Sequence, residues 1–256
     1  MRRCPSCNGT HWWSLSTGQK ECASCGLRRY FKPKRAFDFV KISSYWKWRL
    51  IEYFALGVPA YRLRFQIPYS LQTIRRFYSI IRLALYKQTE KELEALSGII
   101  EMDEAVFGGR HAGKRGWGAQ GKHMVFGIYQ RNGKVITFPI SGRATRELVP
   151  LISSHTKPGS LYYTDDWHAY TFLAVRGNHI VVPKEKGTPR GRDHLNGIEG
   201  FWSYAKHWLY PYRGVPAVKF HLYLKEIEWR FNHRRENIVP LLRKILHQRV
   251  VKEQIY

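Results

Sequence analysis

Apolar positions along the chain follow two periods, and the changes between these periods mark its divisions. Residues 41–83 have the spacing of amphipathic helices, whereas from Ile99 onward short apolar runs typical of strands alternate with turn signals. The helical period returns after about residue 197, and residues 1–35 follow neither period. The chain therefore divides into a Cys-rich start, a helical segment and a longer region of strands and helices.

The helical segment is predicted to hold three helices, at about 44–56, 59–65 and 70–84. Gly57 ends the first helix, and Ser70 is a suitable N-cap for the third. A short middle helix, a tight turn and a last helix bearing Arg75 and Arg76 are typical of a helix-turn-helix, whose last helix would lie in the major groove of DNA. The alternative is a small helical bundle with a solvated basic face.

The region after Ile99 is predicted to alternate strands with helices. Strands are expected at 99–107, 123–130, 134–140, 161–165 and 179–183, and helices at 145–155, 198–209 and 217–234. Asn132-Gly133 is a strong hairpin signal between the second and third strands. A hairpin meander followed by strand–helix–strand units predicts a mixed sheet flanked by helices, a fold of the α+β/mixed class.

Composition is that of a soluble globular protein, but the charge is far from ordinary. The chain holds 43 Lys and Arg against 19 Asp and Glu, a formal net charge of +24. Such an excess predicts a polyanionic partner, either nucleic acid or an anionic membrane surface. We find no apolar run of about eighteen residues and no signal-peptide core, and therefore expect a cytoplasmic protein without a membrane segment.

Four cysteines form two Cys-x2-Cys pairs near the start of the chain. Cys4 and Cys7 make the first pair and Cys22 and Cys25 the second, with 14 residues between the pairs. Each tight turn aims two thiolates at one point, so four of them can surround one structural Zn²⁺. We predict a zinc ribbon at 1–35; the alternatives are four unligated thiols or two disulfides.

The few acidic residues of this basic chain stand out where they lie on or beside apolar elements. Asp103 lies inside a predicted strand, Asp165 ends another, and Glu199 lies in the first turn of a helix. If they converge, their repulsion would be relieved by two ions of Mg²⁺ or Mn²⁺ about 3.5–4 Å apart, which suit phosphodiester chemistry. The alternatives are an arginine ion pair for Asp103, a helix cap for Asp165 and helix-dipole stabilisation for Glu199.

Four stretches of the chain resemble bacterial insertion-sequence transposases that carry an N-terminal zinc ribbon ahead of a DDE-type, RNase H-like catalytic domain. They are EMDEAVFGG, YYTDDWHAY, HLNGIEGFWSYAK and YLKEIEWRFNHR, and the resemblance covers nearly the whole chain. It implies a catalytic triad of Asp103, Asp165 and Glu199, with Asp166 adjacent to the second member. It also implies a domain order of zinc ribbon at 1–35, helix-turn-helix-like module at 40–90, catalytic domain at 97–240 and tail at 241–256.

The resemblance implies a DNA transposase that binds the ends of an insertion sequence and hydrolyses the phosphodiester there. The freed 3′-hydroxyl would then attack target DNA, which joins the strand end to the target. A homodimer or larger synaptic complex on DNA, associated with the bacterial nucleoid, is implied as well. Two other functions stay open. One is a zinc-ribbon DNA-binding regulator with an inactive RNase H-like domain, and the other is an RNase H-like nuclease that does not join strands.

Further DNA contacts are expected around the acidic residues. Lys206 lies two turns after Glu199 on one helix face, where it could hold a substrate phosphate, and Trp202 could stack on an unpaired base. Lys114, Arg115 and Lys122 lie in a Gly-rich basic loop that could clamp DNA. The alternatives are core packing for Trp202 and a solvated surface loop.

The net charge of +24 predicts DNA binding that weakens steeply with salt. If about six to ten phosphates are neutralised, affinity should fall roughly 10³–10⁵-fold between about 50 and 200 mM salt, because each contact releases condensed counterions. Titration of labelled duplex DNA at several salt concentrations measures this slope. A flat response would remove nucleic acid as the main partner.

Overall fold

The computed structural model of the chain describes residues 3–17, 19–30, 40–108, 122–183, 191, 193–212 and 214–247. The chain divides into two compact units, Met1–Lys41 with His247–Tyr256 and Ile42–Leu246. The first unit contains a three-stranded antiparallel sheet of β1 (Trp12–Ser14), β2 (Lys20–Cys22) and β3 (Arg28–Arg29), in that order. These short strands frame the two cysteine pairs.

The second unit is built on a mixed five-stranded sheet. Its strands are β4 (Ile99–Phe107), β5 (His123–Gln130), β6 (Val135–Ile140), β7 (Leu161–Thr164) and β8 (Asn178–Val181). The order is β6-β5-β4-β7-β8; β4, β7 and β8 run parallel, and β5 is antiparallel to both of its neighbours. A meander followed by two parallel additions to the other edge of β4 is the arrangement of an RNase H-like fold, so the predicted fold class is confirmed.

Six α-helices and three short 3₁₀ helices accompany the two sheets in the described residues. The α-helices are α1 (Ser44–Ala55), α2 (Leu71–Lys91), α3 (Thr145–His155), α4 (Asn196–Leu209), α5 (Phe220–Asn232) and α6 (Ile238–His247). The 3₁₀ helices are Ala60–Leu63, His168–Val175 and Ala217–Lys219. None of the helices in this described part of the chain is long and apolar enough to cross a membrane.

The alternation of side chains along β4 separates two cores, one on each face of the sheet. Ile100 and Met102 point to one face, where they join a core formed with α3 and the 3₁₀ helix after β7. Ala105 and Phe107 point to the other face, into a core shared with α4 and α5. Because β4 is central and covered on both faces, any charged residue on it is placed where it must find a partner.

Two of the three helices predicted for the helical segment are α-helices, whereas the middle one is a shorter 3₁₀ helix, Ala60–Leu63. The predicted cap is confirmed, because the Oγ of Ser70 accepts a hydrogen bond from the backbone N–H of Thr73 at 3.2 Å. The structure differs at two ends. Helix α2 continues to Lys91, past the predicted end near 84, because Leu85 and Thr89 are buried. Helix α6 runs across the predicted boundary at 240 with three buried apolar residues, Leu242, Ile245 and Leu246.

Buried ion pairs tie the helical segment to helix α5. The Arg82 Nε of α2 lies 2.6 Å from Glu226 Oε2 of α5, and the Arg230 Nε lies 2.9 Å from Glu226 Oε1. Arg230 Nη1 also donates to the backbone carbonyl of Ala55, at the end of α1, at 3.0 Å. The three ionised side chains are at most 4% exposed. Helices α1, α2 and α5 are therefore held together by charge in a dry interior.

We expect Glu226→Gln to lower the free energy of unfolding by about 3–5 kcal/mol, because two buried guanidinium groups lose their counter-charge. Urea denaturation measures the change. The control is Glu52→Gln. The Glu52 carboxylate lies 2.7 Å from Arg49 Nη1, and the Glu52 side chain is 35% exposed. That exposed pair should be worth less than about 1 kcal/mol. Equal losses in the two variants would contradict a special role for the buried network.

Candidate active site and metal centre

The acidic cluster forms where β4 and β7 run side by side. Their parallel register pairs Ile99 with Leu161 and Glu101 with Tyr163, which places Asp103 beside Asp165. Carboxylate oxygens of Asp103, Glu104 and Asp165 all lie within 4.8 Å of one another. Strand β7 ends at Thr164 whereas β4 continues to Phe107, so side chains from both faces of β4 can meet beyond the end of β7.

Arg143 provides positive charge to two of the three carboxylates. Its Nη2 donates to Asp165 Oδ2 at 3.0 Å and lies 2.7 Å from Glu104 Oε2, an ionic contact without hydrogen-bond geometry. Burial lowers the pKa of Arg143, but the carboxylates of Glu104 and Asp165 outweigh it and raise that pKa above its ordinary value. Asp165 Oδ1 also accepts the backbone N–H of Trp167 at 3.1 Å. Trp167 is itself the N-cap of the 3₁₀ helix His168–Val175, so Asp165 closes a turn ahead of that helix and is not its cap.

Tyr170 holds the remaining oxygen of Glu104. Its hydroxyl donates to Glu104 Oε1 at 2.6 Å in a fully buried environment. Burial and then the charge of Glu104 raise the pKa of Tyr170 well above its ordinary value, so the phenol stays protonated and remains a donor. Glu104 is thereby fixed on the α3 side of the sheet.

Asp103 is oriented from the opposite face by Trp202 of α4. The indole Nε1–H donates to Asp103 Oδ2 at 3.1 Å. The indole ring reaches this position because the residue paired with Asp103 on β5 is Gly127, where an added Cβ would lie 2.6 Å from the ring. Trp202 is only 4% exposed and belongs to the core, so the core-packing interpretation is confirmed and the ring is not available to stack on an unpaired base.

Glu101 seats the N-terminus of α4 against the sheet. Its Oε2 accepts the backbone N–H of Ile198 at 2.9 Å, and its Oε1 pairs with Arg131 Nε at 2.6 Å. Gly197 is required there, since a Cβ would lie 2.2 Å from the Tyr129 ring. Anions at a helix N-terminus are favourable, and this one fixes where the first turn of α4, with Glu199, is placed.

The predicted site residues come together only in part. Glu199 is exposed and lines one open pocket of about 660 Å³ with Asp103, Glu104, Lys122 and Lys206, but it is not one of the three carboxylates within 4.8 Å. Asp166 is exposed and also lies outside that cluster.

The remaining predicted DNA contacts lie elsewhere. Arg75 and Arg76 are exposed in the second turn of α2. Lys114 and Arg115 lie outside the described residues.

Sequence reasoning missed Glu104, Arg143 and Tyr170. Glu104 carried the same signal as Asp103, because it is an acid inside an apolar strand. Arg143 and Tyr170 carried no such signal, because the chain has many arginines and many tyrosines. These two side chains reach the carboxylates only because α3 and the elements after it pack on the sheet.

The four cysteines form a second cluster. Their sulfurs all lie within 4.8 Å of one another, with Cys4 and Cys25 at 3.5 Å and Cys7 and Cys22 at 3.5 Å, and all four are free thiols. The disulfide alternative is therefore wrong in this structure. Four sulfurs in two tight turns can hold one metal ion.

Matching backbone turns shape the two cysteine pairs. The N–H of Asn8 bonds to the carbonyl of Cys4 at 2.8 Å, and the N–H of Gly26 to that of Cys22 at 2.9 Å. Asn8 and Gly26 both have left-handed backbones, with φ of 58° and 69°. Gly9 allows the two turns to approach closely, since a Cβ there would lie 2.8 Å from Ser24 Oγ.

The thiols are electrostatically suited to a cation. Burial opposes ionisation of Cys22, but the backbone N–H groups of Ser24 and Cys25 point at its sulfur, and its pKa is lowered to about 6. The N–H of Gly9 lowers the pKa of Cys7, yet its contacts with Cys25 and Cys22 outweigh this and raise it to about 12. Four adjacent thiolates are thus unfavourable without a positive ion, which is what a structural metal supplies.

Two comparisons of the amino-acid sequence, one with protein families and one with individual proteins, give matches of the same kind. The profile of the ISXO2-like transposase domain matches residues 95–232, which include Asp103, Glu104, Asp165 and Glu199. An "Uncharacterized transposase-like protein" of Haemophilus influenzae is 37% identical over 101 residues, covering 39% of this chain and 82% of that protein.

Two solved structures are similar at much lower levels. The Mos1 Strand Transfer Complex is 12% identical, with 85% of this chain and 79% of that chain covered and a TM-score of 0.31. The Mos1 transposase paired-end complex with left transposon end is 12% identical, with 85% and 82% covered and a TM-score of 0.26.

Gly127→Ala should displace Trp202 from Asp103 and cost roughly 1–3 kcal/mol of unfolding free energy, because the new methyl group overpacks the indole ring. Urea denaturation followed by tryptophan fluorescence measures both effects. Gly200→Ala is the matched control in α4: nothing lies within 4 Å of its Cβ position. There alanine should be neutral or stabilise by about 0.5–1 kcal/mol. If Gly127→Ala changes the free energy of unfolding no more than Gly200→Ala does, the close approach of the Trp202 ring to Gly127 is not a constraint.

Proposed function

The chain belongs to the ISXO2-like transposase family, and from that premise we propose that it is a DNA transposase that cuts at the ends of an insertion sequence and joins them to target DNA. The observation that carries the proposal is the cluster of Asp103, Glu104 and Asp165, which lies where β7 ends beside β4. Asp103 and Glu104 also line a pocket together with Glu199 and two lysines. A regulator would have no need to hold three carboxylates within 4.8 Å.

The donor set of the cluster fits divalent cations. It consists of carboxylate oxygens, which suit Mg²⁺ or Mn²⁺, and three of these carboxylates lie close together beside one arginine, Arg143. We propose that Asp103, Asp165 and Glu199 hold two ions. Such ions, when bound, would activate the attacking oxygen and stabilise the leaving oxygen.

The surrounding residues would prepare this site and hold the substrate. Trp202 and Arg143 orient Asp103 and Asp165 respectively, so neither carboxylate must reorganise during the reaction. Lys122 and Lys206 line the same pocket and would attract the phosphate to be cut. Glu104, held by Tyr170 and Arg143, would keep the arginine in place rather than contact DNA.

The proposed chemistry has two steps. In the first, the oxygen of water bonds to phosphorus, the bond from phosphorus to the 3′-oxygen breaks, and that oxygen leaves as a 3′-hydroxyl. In the second, this hydroxyl attacks a phosphodiester of the target, and the displaced target oxygen leaves as a new 3′-hydroxyl. Because two ends must be joined to one target, we propose a dimer or larger assembly on DNA.

We expect Asp103→Asn, Asp165→Asn and Glu199→Gln each to abolish nicking and strand transfer together, since one set of ligands would serve both steps. DNA binding should be retained or slightly strengthened, because a negative charge that repels phosphate is removed. The assay incubates labelled element ends with Mg²⁺ and scores cut and joined products separately.

Asp166→Asn is the matched control, because Asp166 is exposed and adjacent to Asp165 but outside the cluster. It should retain both activities. Full activity of the Asp103→Asn enzyme would refute the transposase mechanism, and nicking without joining in the wild-type enzyme would favour a nuclease.

We propose that Cys4, Cys7, Cys22 and Cys25 hold one structural Zn²⁺. Structural zinc contributes on the order of 10–16 kcal/mol to the folding of small modules, so chelation should unfold the cysteine-rich segment and weaken binding to element ends. Metal analysis and circular dichroism check this. Cys22→Ser should lose the metal, whereas Ser24→Ala should keep it. Less than half an equivalent of zinc in freshly purified protein would count against the proposal.

A further inference from the structure

A second pocket, which we call the basic pocket, has a volume of about 730 Å³ and lies at the other end of α4 from the acidic cluster. Its wall comes from the 3₁₀ helix Ala60–Leu63, from α2 and from the connection between α4 and α5. Three exposed cations stand at its rim, Arg62, Arg75 and Lys219, and its described lining contains no acidic residue. All the charged side chains that the described residues bring to the pocket are therefore positive.

The floor of this pocket adds a buried positive charge. Arg82 lines the pocket, is 3% exposed, and lies with its guanidinium 3.8 Å from the Tyr223 ring centroid. Its Nε pairs with Glu226, but among the described residues its Nη2 has no hydrogen-bond partner. Glu226 is shared with Arg230, so this network holds two cations and one anion. An uncompensated charge in a dry interior attracts an anion more strongly than one in water.

Aromatic side chains complete the rim. Tyr61 is 48% exposed and Tyr210 is 66% exposed, although burial would be favourable for both rings. Exposed aromatic rings interleaved with cations are typical of surfaces that follow a nucleic-acid strand, where rings contact sugars and bases while cations contact phosphates.

One exposed stripe of α4 leads from the active-site pocket to this second pocket. Glu199, Ser203, Lys206 and Tyr210 follow one another at steps of four, three and four residues, so they share one face, and all four are exposed. The first three line the active-site pocket and Tyr210 lines the basic pocket. At about 1.5 Å per residue the stripe spans roughly 16 Å. That is the length of about five nucleotides of one DNA strand.

We propose that the basic pocket binds the phosphate backbone of the DNA strand whose cut site occupies the acidic cluster, about five nucleotides along that strand from the cut site. The proposal rests on the proposed transposase function and adds a second anchoring point to it. The ligand is a phosphodiester anion, which Arg62, Arg75 and Lys219 contact directly while Arg82 adds charge from below.

The test measures the salt dependence of DNA binding by the full-length chain. The probe is a fluorescein-labelled random-sequence duplex of roughly 20 base pairs, titrated between about 50 and 200 mM salt. Arg62→Gln and Lys219→Gln should each lower the slope of log affinity against log salt by about one and weaken binding roughly tenfold at the lowest salt. These residues are exposed, so thermal unfolding should remain unchanged.

Arg235→Gln is the charge-matched control, since Arg235 is exposed and lines neither pocket. Its slope should equal that of the wild type. Pocket variants that match Arg235→Gln would overturn the pocket proposal while leaving the transposase proposal standing. Failure of the wild-type chain to bind DNA at any salt concentration would overturn both.

A pocket for free phosphate would give a different result. Inorganic phosphate would then stabilise the wild type in thermal unfolding, Arg62→Gln would abolish that stabilisation, and the DNA slope would stay unchanged. This outcome would also overturn the proposal, because it would assign the same chemistry to a small ion rather than to DNA.

Discussion

Mutual repulsion of carboxylates is the constraint around which the second unit is organised. Asp103, Glu104 and Asp165 lie within 4.8 Å of one another, and the burial of Glu104 and Asp165 makes their repulsion costly. Arg143 supplies charge, and Tyr170 and Trp202 supply hydrogen bonds from opposite faces of the sheet. Held by these partners, the three carboxylates stay close enough to one another that they could hold a metal ion.

Helix α4 links this site to the rest of the molecule. Its N-terminus is seated by Glu101, its middle places Trp202 over Gly127, and its C-terminal end reaches the basic pocket formed with α2. Helix α2 is in turn fixed to α5 by Arg82 and Glu226. The helical segment and the sheet therefore belong to one compact unit.

Most elements were predictable because their signals are local. The apolar runs of β4 and β5, the hairpin at Asn132-Gly133 and the cap at Ser70 depend on neighbouring residues alone, and the structure has them where they were expected. The two cysteine pairs were equally clear, since their spacing encodes the geometry of two tight turns. The family resemblance added what spacing could not, namely a reason to group Asp103 with Asp165 and Glu199.

The sequence by itself determined the element order, the mixed sheet, the thiol cluster and the basic character that suits DNA. Only the tertiary structure decided that Glu104 joins Asp103, that Arg143 and Tyr170 hold the cluster, and that Trp202 is a buried donor rather than an exposed ring. The reason is physical. Periodicity reports which face of an element is apolar, whereas the partner of a buried charge is set by strand register and helix packing between segments far apart in the chain.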